Sequence, residues 1–188
     1  MKKKQLALLL IIGALVIAAA AIFIVPGNQR AQAAFLEKYG LAGMDTRQVV
    51  NALDSSLEDP SGLSASITGT ELVLRDSKDS VSLALPEDAF YLSFAPYENS
   101  THPCAIHSLS SCRGELVNAT VHARLTDKDG NVIVDQELTT MDNGFVGLWL
   151  PRDIEGTLEV QYNNKTATAQ ISTFANSDTC LTTALKLN

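Results

Sequence analysis

The chain has 188 residues, 14 of them basic and 21 acidic, for a formal charge of −7. That balance argues against a nucleic-acid partner, because neutralising a phosphate backbone takes a clustered basic surface. The three cysteines are an odd number, which excludes a fully paired disulfide scaffold and leaves either one thiol over or three thiols as ligands.

The first thirty or so residues read as an address. Met1-Lys2-Lys3-Lys4 is a positive start, Leu6 to Val25 runs for twenty residues without a charge, and Ala31-Gln32-Ala33 is a small-residue site for signal peptidase. The apolar run is longer than the roughly 7–15 residues of a signal peptide and reaches the roughly 20 that span a bilayer, so a cleaved signal and a retained anchor both fit residues 1–33. Either way residues 34–188 lie outside the cytoplasm, in the periplasm or at the cell surface. Without residues 1–33 the chain loses Lys2, Lys3, Lys4 and Arg30, leaving ten basic residues against 21 acidic, a charge of −11. An acidic exported domain of this size attracts cations weakly.

From residue 34 to 63 the pattern is helical. Phe35, Leu36 and Tyr39 share a face before Gly40, a natural C-terminal stop. Asp45 and Gln48 form a capping-box signal ahead of the apolar Val49, Val50 and Leu53. Both helices are short and need a partner surface. Leu57 to Leu63, with Asp59-Pro60-Ser61-Gly62, marks a boundary.

From residue 64 to 188 the period is two. Leu72 and Leu74, a turn at Asp76 to Asp79, and Val81, Leu83 and Leu85 predict a hairpin. Ala89 to Tyr97 is an aromatic-rich strand whose rings read as sheet packing. Val117, Ala119, Val121, Ala123 and Leu125 form the dry face of the next strand, with His122 on the wet face. Phe145 to Leu150, apolar on both faces, reads as a central sandwich strand. Leu158 to Tyr162, the Asn163-Asn164 turn and Ala167 to Ile171 predict another hairpin, and Cys180 to Leu187 an edge strand. The fold expected is mainly β, a β-sandwich-like C-terminal domain with a small N-terminal helical part, α+β overall.

Between the aromatic strand and the sandwich lies the segment His102-Pro103-Cys104-Ala105-Ile106-His107 followed by Cys112. Thiolate and imidazole are the ligands of soft and borderline cations, so the cluster points to copper(I) or zinc over calcium or magnesium. Pro103 keeps His102 extended, which lets residues 102 and 104 point the same way, while 107 and 112 return by a turn. If the chain brings Cys180 back, three sulfurs make a trigonal copper(I) site; zinc would take one histidine as well. A bridge from Cys104 to Cys180 is the plain alternative, stabilising by roughly 4–5 kcal/mol through closure of a long loop. Each of His102 and His107 reads equally as a ligand, as a group that lowers a thiol pKa, or as a solvated loop residue. Arg113 and Glu115 read as a surface ion pair.

Four runs together resemble the CueP family of exported copper-binding proteins: Glu87 to Ser93, Thr101 to Glu115 with its Cys and His spacing, Asp142 to Arg152, and Thr179 to Thr183. The resemblance spans roughly Phe35 to Leu187. It implies a periplasmic copper-handling protein whose N-terminal helical part mediates a homodimer and whose three metal-site cysteines fall on Cys104, Cys112 and Cys180. It also implies copper(II) reduction, delivery to an exported superoxide dismutase, and thiol-reducing partners of the disulfide isomerase type. With His102 and His107 added from the chemistry of the segment, the residues assigned to metal are Cys104, Cys112, Cys180, His102 and His107, in a metal-binding protein with no catalytic residue that reduces copper(II) at most stoichiometrically. The competing class is an immunoglobulin-like adhesion module with a structural disulfide. A thiol oxidoreductase would need a Cys-x-x-Cys pair that the chain lacks.

Overall fold

The computed structural model describes residues 27–55 and 62–188. The expected signal or anchor lies, up to residue 26, outside the described residues, as does most of the break expected between Leu57 and Leu63. Among the described residues no helix is long and apolar enough to cross a membrane.

Helix α1 (Gly27–Lys38) ends just before Gly40, whose φ of +71° is the left-handed turn glycine adopts without strain. Helix α2 (Thr46–Asp54) opens on the anticipated capping box: the Asp45 side chain accepts from the Gln48 N–H at 2.9 Å and the Gln48 side chain accepts from the Asp45 N–H at 2.9 Å. Its buried stripe is Val49, Val50, Leu53 and Asp54.

The strands are β1 (Ser64–Ile67), β2 (Glu71–Arg75), β3 (Ser80–Ala84), β4 (Ala89–Phe94), β5 (His107–Ser108), β6 (Thr120–Asp127), β7 (Val132–Thr139), β8 (Val146–Pro151), β9 (Glu155–Tyr162), β10 (Lys165–Ser172) and β11 (Cys180–Leu181). They form three sheets, in the orders β3-β2-β1-β5, β10-β9-β6-β7 and β11-β4-β8. The fold is mainly β with a small helical part, as the alternation of residues indicated. Both predicted hairpins are present, β2 with β3 and β9 with β10. Asn163 and Asn164 carry the second hairpin's turn at φ 47° and 63°, a conformation asparagine tolerates.

Strand β4 organises the molecule, since every one of its six residues is buried. Phe90, Leu92 and Phe94 pack with Val121, Leu125, Leu158 and Val160 in the core between the last two sheets. Tyr91 points the other way, into a second core made by α1, α2 and the first sheet. A fully buried Phe or Leu contributes roughly 1.5–3 kcal/mol, so a strand that feeds two cores is the most constrained segment of the fold.

Three expectations are corrected. The central strand is β4, because among the described residues β8 pairs with β4 alone and lies at the edge of its sheet. The wet-dry alternation starts at Thr120 and not earlier: Val117 is 49% exposed, and Asn118 at φ 52° breaks the extended run before it. Strand β1 was not anticipated, since Ser-Ala-Ser-Ile has little β propensity; its pairing with both β2 and β5 holds it in place.

Candidate metal centre

The ligand segment leaves β4 and returns as β5, a two-residue strand whose His107 pairs with Ile67 of β1. Its entry is clamped by Glu115, whose carboxylate accepts from the backbone N–H groups of Glu98 at 2.7 Å and Asn99 at 2.9 Å and from the Asn99 side chain at 2.9 Å. These bonds to Asn99, together with those from Glu98 and Ser100, hold the Glu115 carboxyl down at about 2. Arg113 donates to the carbonyls of Cys112 and Ser110. Arg113 and Glu115 are therefore two separate backbone clamps and not the surface pair expected.

The chain returns to this segment at β11, which runs parallel to β4 with Cys180 opposite Ser93. The Thr179 and Cys180 N–H groups both donate to the Ala105 carbonyl, at 2.9 and 3.1 Å. The Thr179 hydroxyl donates to the Ile67 carbonyl at 2.6 Å and accepts from the His107 N–H at 3.0 Å, and the Thr182 hydroxyl donates to the His102 carbonyl at 2.6 Å. Backbone bonding thus fixes where the Cys180 sulfur arrives.

Cys104 and Cys180 are joined in a disulfide with a Cα–Cα distance of 5.5 Å, and Cys112 is a free, buried thiol. The Cys112 sulfur lies 3.5 Å from that of Cys104. One ligand atom each from Cys104, His107, Cys112 and Cys180 lies within 4.8 Å of the others. Sulfurs around a single ion at about 2.3 Å sit about 4 Å apart, so the bonded Cys104 and Cys180 sulfurs must part on reduction before all three can face one ion. Three sulfurs and one imidazole suit a soft or borderline cation and not calcium or magnesium.

His102 is not in that four-atom group. It lies beside Cys112 as a hydrogen-bond partner and 6.3 Å from the Phe145 ring. His107 is fully buried, with its ring 4.8 Å from Phe145. Its Nδ1 faces the Cys180 sulfur at 3.7 Å, and its Nε2 bonds Asp54 Oδ1 at 2.8 Å. His122 stands apart on β6, half-exposed against Asp135 at 3.0 Å, as its wet-face position indicated.

Burial opposes the charged form of both His107 and Cys112, and their partners reverse it. Asp54 and the Cys112 thiol lift the His107 pKa to about 9. Hydrogen bonds from His107, His102 and the Ser108 N–H bring Cys112 down to about 7. A nucleophilic thiol thus lies within van der Waals reach of a disulfide, the geometry of thiol–disulfide exchange.

Asp54 was missed by sequence reasoning, and so were its other partners. The Tyr91 hydroxyl donates to Asp54 Oδ2 at 2.5 Å, and the Asn143 amide donates to Asp54 Oδ1 at 2.9 Å. Burial, with the Asp54 charge added, pushes the Tyr91 phenol well above its ordinary range, so it stays a donor. Asp54 sits at the C-terminal end of α2, where the helix dipole disfavours an acid, but nothing in the sequence marks it as buried.

The model of the family described as "Periplasmic copper-binding protein CueP" matches residues 48–185. The chain belongs to the CueP family. A solved crystal structure of S.CueP superposes with a TM-score of 0.78 at 50% identity, over 84% of this chain and 98% of that one. No curated protein matches. The CueP match takes in α2 from Gln48 onward, both clamps and all three cysteines, so the Cys/His cluster lies wholly inside the family's span.

Proposed function

We propose that the protein captures copper(I) outside the cytoplasm on the thiolates of Cys104, Cys112 and Cys180, with His107 as a fourth donor and His102 at the rim. The observation that carries this reading is the convergence of three sulfurs and one imidazole within 4.8 Å, with His107, Cys112 and Cys180 buried and Cys104 half-buried. Sulfur-rich donor sets favour copper(I) over copper(II) and over hard cations. Zinc on three cysteines and one histidine is the competing cation.

The disulfide is the oxidised partner of that site. Two thiolates, Cys104 and Cys180, each give one electron to a copper(II) ion; two copper(I) ions and one sulfur–sulfur bond result. Cys112 remains reduced, with His107 beside it, to hold one copper(I), and the second copper(I) is released. Return to the three-thiol form takes two electrons from an external dithiol, passed by thiol–disulfide exchange. Delivery to an exported superoxide dismutase, reduction by a disulfide-isomerase type partner, a homodimer through the helical part and an N-terminal tether or cleaved signal complete the reading that the resemblance supports.

A second reading is favoured by one observation, the Cys104–Cys180 bridge itself: a sandwich module stabilised by a structural disulfide. Copper(I) titration of the reduced protein beside Cys104→Ser, Cys112→Ser and Cys180→Ser separates the two. Loss of affinity in each variant supports the metal site; equal affinity in all four proteins ends it. Copper(II) added to the reduced protein should yield copper(I) captured by an indicator dye, and no dye colour would end the redox role.

A further inference from the structure

Asp54 is fully buried at the C-terminal end of α2, 53 residues ahead of His107. A buried carboxylate is tolerated only when its oxygens are fully bonded. Here three different elements bond it: Tyr91 of β4 at 2.5 Å, His107 of β5 at 2.8 Å, and Asn143, before β8, at 2.9 Å. Asn143 also donates to the Asp54 backbone carbonyl at 2.7 Å, and its side-chain Oδ1 accepts from the Phe145 N–H at 2.9 Å. The carboxylate therefore cannot swing, and the imidazole nitrogen that meets it is committed.

We infer that Asp54, locked by Tyr91 and Asn143, is the positioning residue of the metal centre: it holds His107 through Nε2 so that Nδ1 is the nitrogen presented to a bound cation. The observed geometry has that outcome, since Nδ1 lies 3.7 Å from the Cys180 sulfur while Nε2 is on Asp54. Carboxylates behind ligating histidines fix ring orientation and raise ligand basicity, and their loss typically weakens metal affinity about 10–100-fold. Helix α2 is on this account part of the metal centre, because its last residue orients a ligand. The inference rests on the copper reading above.

The test uses the reduced full-length protein with 15N-labelled histidine, titrated with copper(I). The His107 Nδ1 resonance should move to a metal-bound position while Nε2 keeps its proton. Binding through Nε2, or an unmoved His107, overturns the inference, and this wild-type measurement stands whether or not any variant folds. Asp54→Ala should weaken copper(I) capture roughly 10–100-fold and remove the nitrogen from the copper X-ray absorption signature. Asp54→Asn, which keeps an acceptor for the Nε2 proton, should restore both. A folded Asp54→Ala that retains nitrogen ligation and wild-type affinity overturns the inference. Failure of the wild type to capture copper(I) at all would overturn the functional reading and this inference together. Capture without a His107 response overturns this inference alone.

Discussion

Reduction of the Cys104–Cys180 bridge tests how much of the fold depends on a cross-link at the proposed metal site. The bridge spans a sequence separation of 76 residues, and in the chain-entropy model closing a loop of that length stabilises by about 4.5 kcal/mol at 25 °C. With a urea slope of about 2 kcal/mol per molar, reduction should lower the unfolding midpoint by about 2 M. The probe is built in, since the single tryptophan, Trp149, packs against Tyr91 at 4.9 Å between rings. Adding one equivalent of copper(I) to the reduced protein should raise the midpoint again, because an ion gathered by three thiolates binds the folded chain more tightly than the scattered thiols of the unfolded one. The double variant Cys104→Ala/Cys112→Ala removes both the native bridge and its nearest substitute, and should unfold like the reduced protein, with no rescue by copper(I). Coincident unfolding of oxidised and reduced wild type would refute the reasoning, and so would rescue of the double variant.

The remaining predictions concern the groups around the site. Alkylation of Cys112 in the oxidised protein should rise with a midpoint near pH 7, well below an ordinary thiol, because His107 and His102 favour its thiolate; a midpoint near pH 9 would contradict this. A Cβ at Gly147 would overlap the Tyr91 hydroxyl, so Gly147→Ala should displace Tyr91 from Asp54 and destabilise by about 1–3 kcal/mol, read as a fall in thermal midpoint. The Glu115 carboxyl lies below its unfolded value, so its clamp is fully present above pH 4.5 and is lost as the pH falls through about 2. Amide exchange at Asn99 should remain slow at pH 4 in the wild type and be fast there in Glu115→Ala.

Much of the architecture was legible because period and turn chemistry agree in the hairpins and in the capping box of α2. The candidate residues were visible by type: two thiols and two imidazoles crowd into residues 101–115, while Cys180 lies far along the chain. What sequence left hidden was tertiary. Asp54 follows Leu53 and looks like an ordinary helix-end acid; only the approach of β4, β5 and Asn143 makes it a buried anchor. The identity of the central strand was hidden for a similar reason. Phe145 to Leu150 and Ala89 to Phe94 are equally apolar, and only the pairing of β11 with β4 makes β4 the middle strand.

The position of Cys180 also bears on biogenesis. A chain threaded amino end first into an oxidising compartment exposes Cys104 and Cys112 before the residue 76 positions after Cys104 emerges. Short-range ring closure between the early pair is entropically the easier event, and it yields a wrongly wired intermediate. Arrival of the Thr179-Cys180 segment, docked on the Ala105 carbonyl, brings the third thiol in to rearrange that linkage. In a chain that follows that order, thiol exchange accompanies hydrophobic collapse on the way to the Cys104–Cys180 bridge.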